Sequence, residues 1–129
     1  MKEIKDQLNY FTGTTCYHRA SPFFRKVVCT DGVMAMANLC KAHWLVNDLA
    51  MHIQDVLQKH EDAKHFQGWK FTVENHVGKL VGTDGNYNVY HTEDYDFTDF
   101  PLDEIEFFVE PTYMESEGNL MVLMLPNEH

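Results

Sequence analysis

Hydrophobic and polar residues keep two different periods in the two halves of this chain. From Ala42 to Leu57 the apolar positions are Leu45, Val46, Leu49, Ala50, Ile53, Val56 and Leu57. They fall three and four apart, the spacing of one face of an α-helix, with Asn47, Asp48, Asp55 and Lys59 mostly on the other side. Before them come Cys29-Thr30-Asp31-Gly32 and an apolar-rich segment from Val33 to Cys40. Thr30 or Asp31 suits a helix N-cap, because its side-chain oxygen can accept a hydrogen bond from an otherwise unpaired backbone N–H. One helix over 32–60 would be long against the usual ~10–14 residues. A break is therefore predicted near Cys40–Ala42, although no Gly or Pro marks it.

After residue 67 the period becomes two. Trp69, Phe71 and Val73 alternate with Lys70, Thr72 and Glu74, which predicts a strand with one buried face. Leu80-Val81 and Val89-Tyr90 flank Asp84-Gly85-Asn86, and Asp-Gly between two strand-like runs predicts a hairpin. Ile105, Phe107 and Val109 alternate with Glu104, Glu106 and Phe108. Leu120 to Leu125 is apolar throughout, as expected of a strand buried on both faces, and Pro126 stops it. Nearer the start, Ile4, Leu8 and Phe11 predict a short amphipathic helix over 2–10, ended by Thr12-Gly13-Thr14-Thr15. Ser21-Pro22 is a break, Phe23–Cys29 reads as a strand, and Glu61–Gln67 reads as a loop. Helices followed by a run of strands predict an α+β fold, with helices packed on one face of an antiparallel β-sheet of four to five strands.

Size and composition narrow the class. The chain has 129 residues, 44% of them hydrophobic and 23% charged, and reads as one domain, 1–129, that buries its own core. Its cysteines, Cys16, Cys29 and Cys40, are odd in number and have no disulfide spacing. The start, Met1-Lys2-Glu3-Ile4-Lys5-Asp6, has no apolar core of a signal peptide, and no run reaches the ~18 apolar residues of a membrane span. A cytoplasmic protein with reduced thiols is expected.

Charge changes the picture most. Residues 1–70 carry nine Lys/Arg against seven Asp/Glu, a net of +2, whereas residues 71–129 carry one against thirteen, a net of -12. No Lys or Arg follows Lys79. Phosphate repels such a half, which argues against direct nucleic-acid binding through it. A basic partner protein would be drawn to it.

Several short motifs carry a family likeness. Phe11-Thr12-Gly13, Thr30-Asp31-Gly32-Val33, Trp44-Leu45, Phe66-Gln67-Gly68-Trp69-Lys70, Asp84-Gly85-Asn86, Thr98-Asp99-Phe100-Pro101-Leu102 and Leu125-Pro126-Asn127-Glu128 occur in that order. Together they resemble a bacterial family of small proteins known only as a domain of unknown function. The resemblance spans nearly the whole chain and implies a context of phages and plasmids. It implies no activity and no functional residues. Asn127-Glu128-His129 departs from the Ser-Glu-Tyr ending of that family.

The candidate chemistry lies in the acidic half. Glu93, Asp94, Asp96, Asp99, Asp103, Glu104, Glu106, Glu110, Glu115 and Glu117 are interleaved with Tyr87, Tyr90, Tyr95, Phe97 and Phe100. The plain reading is a solvated loop and the outer face of a strand. The functional reading is an acidic surface imitating a phosphate backbone, with Glu93, Asp94, Tyr95, Asp96, Asp99, Asp103, Glu104 and Glu106 as its binding residues. It would engage a basic, nucleic-acid-binding host protein and weaken as salt rises. In the context that the family likeness implies, it would be an inhibitor of a host defence nuclease, including an anti-CRISPR protein. A rival reading is a metal-assisted hydrolase in which Asp94, Asp96 and Asp99 ligate Mg²⁺ or Ca²⁺, but Asp99 and Ile105 stand where an EF-hand loop needs Gly and Glu. A third is a homo-oligomeric structural protein, with Leu120–Leu125 buried in a dimer.

Other candidates are weaker. Cys16-x-His18 and Cys40-x-x-His43 could build a Cys₂His₂ zinc site only if folding joined them, and neither half has the usual paired spacing. His52 and His60 lie eight apart and His60 and His65 five apart, so neither pair has the i, i+4 spacing of a helical metal-ligand pair. Cys29 beside a helix start could be an activated thiol, yet nothing near it in sequence supplies a base. The expectation is therefore a binding protein with no cofactor and no metal.

Overall fold

Lys41 explains how a helical stretch can break without glycine or proline. The computed structural model describes residues 2–129. In it α2 spans Asp31–Leu39 and α3 spans His43–Lys59. Thr30 caps α2 as expected, its side chain accepting the N–H of Val33. At the other end Lys41 takes a positive φ of 52°. The Ala42 N–H then reaches back to the Ala37 carbonyl at 2.9 Å, the long bond of a Schellman ending. The left-handed position, normally given to glycine, is held here by lysine.

The strands form one seven-stranded sheet in the order β1-β2-β7-β6-β3-β4-β5. Their bounds are β1 His18–Arg19, β2 Val27–Cys29, β3 Gln67–Glu74, β4 Val77–Thr83, β5 Val89–Tyr95, β6 Glu104–Met114 and β7 Gly118–Met124. The sheet is larger than the expected four to five strands. It is also mixed, because β2 runs parallel to β7 while every other pair is antiparallel. Two features hid this from the pattern of residues. β1 is two residues long, too short to show alternation. The strand expected over Phe23–Cys29 forms only at Val27–Cys29 and finds its partner at the far end of the chain.

The hairpin turns follow local chemistry. Gly85 supplies a positive φ between β4 and β5, and Asp84 accepts the Asn86 N–H at 2.8 Å. Between β3 and β4, Asn75 and His76 are both left-handed, the pattern of a two-residue primed turn without glycine. The N-terminal helix α1 spans Lys2–Leu8, and a 3₁₀ turn spans Glu61–Lys64 within the expected loop.

The helices pack on one face of the sheet. Leu45, Val46, Leu49, Ile53 and Val56 of α3 join Trp69, Phe71, Leu80, Phe107, Val109 and Leu123 of the strands in one core. Fully burying each large apolar side chain contributes roughly 1.5–3 kcal/mol. Trp69 lies flat across Gly82 of β4, where an added Cβ would come 2.6 Å from its ring. Its indole N–H donates to Gln67 Oε1 at 2.9 Å, and Gln67 Nε2 donates to the Ala63 carbonyl at 3.4 Å. This pair lets a tryptophan and a glutamine be wholly buried without losing hydrogen bonds. Val28, Leu120, Val122 and Met124 form a second, smaller cluster from the alternate positions of β2 and β7. β7 is thus buried on both faces, as its unbroken apolar run predicts.

Candidate functional site

Strand alternation divides the acidic residues between two faces. On β5, Asp94 pairs with Lys79 and Glu93 with Leu80. Asp94 therefore points away from the helices, while Glu93 and Tyr95 point toward them. On β6, Glu104 and Glu106 pair with Thr72 and Lys70 on the outer face. Asp94, Asp103 and Glu104 line one shallow depression there with Thr72, Glu74 and Lys79. Asp96 and Asp99 lie beyond β5, and Asp99 borders Trp44, Tyr95 and Phe97 instead. So the fold gathers Asp94, Asp103, Glu104 and Glu106 on one surface, turns Glu93 and Tyr95 to the other, and carries Asp96 and Asp99 past the end of β5. Asp94, Asp96 and Asp99 do not converge as a ligand group among the described residues.

Cations balance part of this run. Lys70 Nζ lies 3.3 Å from Glu104 and 3.9 Å from Glu106, and Arg19 pairs with Glu117 at 3.1 Å. His129 pairs with Glu110. Such exposed pairs contribute ~0–1 kcal/mol each. The interleaved aromatics divide as well. Phe100 is buried, and Tyr95 is half-buried with its hydroxyl donating to Asp48 Oδ2 at 3.0 Å. Tyr87 and Phe97 stay in solvent, 98% and 72% exposed.

Facing inward, Glu93 meets two histidines. His91 is two residues away on β5 and shares its face, and His52 comes from α3. Glu93 Oε1 lies 3.3 Å from His91 Nε2 and 3.9 Å from His52 Nε2. The two imidazole rings are 4.4 Å apart, and Trp69 stacks on His52. His52 is buried, 6% exposed. Burial holds its pKa below the usual imidazole value, and neighbouring His91 adds to this, against the pull of Glu93, Asp48 and Asp55. Spacing along the chain relates His52 to His60 and His65 and misses His91. The available signal was His91-x-Glu93 on a strand, which puts both side chains on one face.

A second cluster surrounds the start of α2. Asp31 Oδ1 lies 2.8 Å from His18 Nε2 and accepts from Cys16 Sγ at 3.4 Å, while Oδ2 accepts the Thr15 N–H and hydroxyl. Those bonds, the Thr15 N–H first, hold the Asp31 carboxyl far below the usual range. Cys16 and Asp31 approach the same histidine nitrogen, so the three do not form a nucleophile–base relay. Asp31 raises the Cys16 thiol pKa, the opposite of activation. Cys40 and His43 stay outside this cluster: Cys40 is buried and His43 Nε2 meets Asn38 Oδ1 at 2.8 Å. Cys29 is a fully buried core residue whose pKa is pushed up to about 12 by burial, so it is no reactive thiol.

Beside this cluster, Gly32 meets the end of the chain. Glu128 Oε2 accepts the Gly32 N–H at 3.0 Å, and Glu128 Oε1 accepts the Thr30 hydroxyl and the Leu125 N–H. A Cβ on Gly32 would stand 2.5 Å from Glu128 Oε1. Two motifs far apart in sequence thus meet as one structural joint.

These features define a small α+β protein with its helices on one face of a mixed sheet and an acidic opposite face. The chain belongs to a family of unknown function, DUF6876, which it matches over residues 2–129. No curated protein and no solved structure matches it. Among the described residues no helix is long and apolar enough to cross a membrane.

Proposed function

We propose that this is a binding protein of the cytoplasm that engages a basic macromolecular partner through the outer face of its sheet. The observation that carries the reading is the register that puts Asp94, Glu104 and Glu106 on the face opposite α2 and α3, where Asp103 shares a depression with Asp94 and Glu104. Lys70 and Lys79 are the cations set among them. Tyr87 at the tip of the β4–β5 hairpin supplies an exposed aromatic anchor. A protein that binds nucleic acid has the complementary charge. With the mobile-element context implied by the family motifs, the reading extends to inhibition of a host nuclease.

The test is a pull-down from bacterial lysate washed at low and at high salt, run beside the triple variant Asp94→Lys, Asp103→Lys and Glu106→Lys. A basic nucleic-acid-binding protein retained by the wild type at low salt, and lost both at high salt and by the variant, supports the proposal. Equal retention by a variant with an unchanged circular dichroism spectrum overturns it. Size-exclusion chromatography of the same samples reads the alternative of self-association, for which β5 offers a free sheet edge.

A further inference from the structure

We infer that His52, His91 and Glu93 form a binding site for a divalent transition metal, with zinc the best-fitting ion. With metal–nitrogen bonds of about 2.0–2.1 Å and metal–oxygen bonds of about 2.0–2.2 Å, donors on one ion stand about 3.0–3.5 Å apart. Glu93 Oε1 is 3.3 Å from one imidazole nitrogen and 3.9 Å from the other, and one donor atom from each of the three residues lies within 4.8 Å of the others. Small side-chain rotations close the set.

The donors are also held in place. His52 sits in the middle of α3 with its ring stacked on Trp69, which the Gln67 amide pins in turn. His91 and Glu93 share one strand, whose pleat aims both at His52. Sites on helices and strands are positioned better than sites on loops.

Charge points the same way. Glu93, Asp48 and Asp55 set negative charge near His52, and Glu93 lies beside His91 as well. The two rings lie 4.4 Å apart beside the Glu93 carboxylate, an arrangement that one bound cation can bridge. Two imidazoles and one carboxylate suit zinc or a neighbouring first-row ion over Mg²⁺ or Ca²⁺, which prefer oxygen throughout. Three protein ligands leave a position for water or a bound group.

The cluster of Cys16, His18 and Asp31 is the competing site in this molecule. There the carboxylate is already satisfied by Thr15 and His18, and an ion would sit at the positive end of α2.

The experiment titrates chelator-treated full-length protein with Zn²⁺ by calorimetry and with Co²⁺ by absorption. Wild type and Cys16→Ser are expected to bind one ion with equal affinity. Binding should raise the melting temperature as the ion concentration passes the dissociation constant. His91→Ala and Glu93→Gln should each weaken binding by more than about tenfold, the low end of what even outer-shell changes cost. Both side chains are partly exposed, so metal-free melting should stay near that of the wild type. The isosteric Glu93→Gln decides the matter should His91→Ala fail to fold. No stoichiometric binding, binding unchanged in Glu93→Gln, or a thiolate-to-cobalt charge-transfer band would each overturn the assignment, the last by placing the ion on Cys16.

Discussion

Glu128 accepts the backbone N–H of Gly32 at 3.0 Å, joining the last turn of the chain to the first turn of α2. The same carboxylate takes the Thr30 hydroxyl and carries negative charge to the positive end of the helix. Replacing Glu128 with Ala should cost about 1–2 kcal/mol, the range of a lost cap with its charge. Gly32→Ala should be destabilising as well, since its Cβ meets that carboxylate. The two residues touch, so the double variant should lose less than the sum of the two single losses. Urea denaturation of the four proteins measures this coupling, and strict additivity would refute the joint.

Lys41 gives a prediction of opposite sign. Its φ of 52° costs a side chain-bearing residue about 1–2 kcal/mol, and glycine has no such penalty. Lys41→Gly should therefore stabilise the protein by roughly 1 kcal/mol, after the added flexibility of the unfolded chain is counted. A higher urea midpoint with an unchanged slope is the expected result.

Gln67 tests the buried polar joint beneath the sheet. Gln67→Leu preserves apolar volume but leaves the Trp69 indole N–H without its acceptor. The cost should be about 1–3 kcal/mol, the penalty of an unsatisfied buried donor. Phe71→Ala, which removes a wholly buried ring, should cost more, about 3–5 kcal/mol. Thermal or urea unfolding ranks the two variants.

Acid should weaken the protein through Asp31. Its carboxyl is held below the ordinary value of 3.8 by Thr15 and His18, so the folded state favours the ionised form. The contribution is whole above that ordinary value and fades as pH falls through it toward the folded value. Urea midpoints between pH 6 and pH 2 should fall more steeply for the wild type than for Asp31→Asn. Parallel curves would count against the role given to this carboxylate.

How far the sequence could be read depended on how local each signal was. The spacing of Leu45, Leu49, Ile53 and Val56 identifies α3 because one helix face repeats within a few residues. The run Leu120–Leu125 reveals a doubly buried strand for the same reason. The partnership of Val28 with Val122 has no local trace, so the mixed sheet could not be read from periodicity. The acidic half was plain as composition but not as a surface. Glu93 and Asp94 are neighbours on a strand and must face opposite ways, so the pleat alone separates them. His52 and His91 come together only through the packing of α3 on β5, which spacing within one element cannot disclose.

The strand order β2-β7-β6 also bears on how the protein is made. β7 is the last of the seven strands to be synthesised, yet it lies between one formed early and one formed just before it. Until residues 118–124 emerge, β2 and β6 have no common neighbour, and each leaves a strand edge open to pairing. Completion of the sheet therefore waits on the emergence of residues 118–124. A nascent or truncated chain that stops short of β7 would be the aggregation-prone form, and chaperones that shield open strand edges would be most needed in that interval.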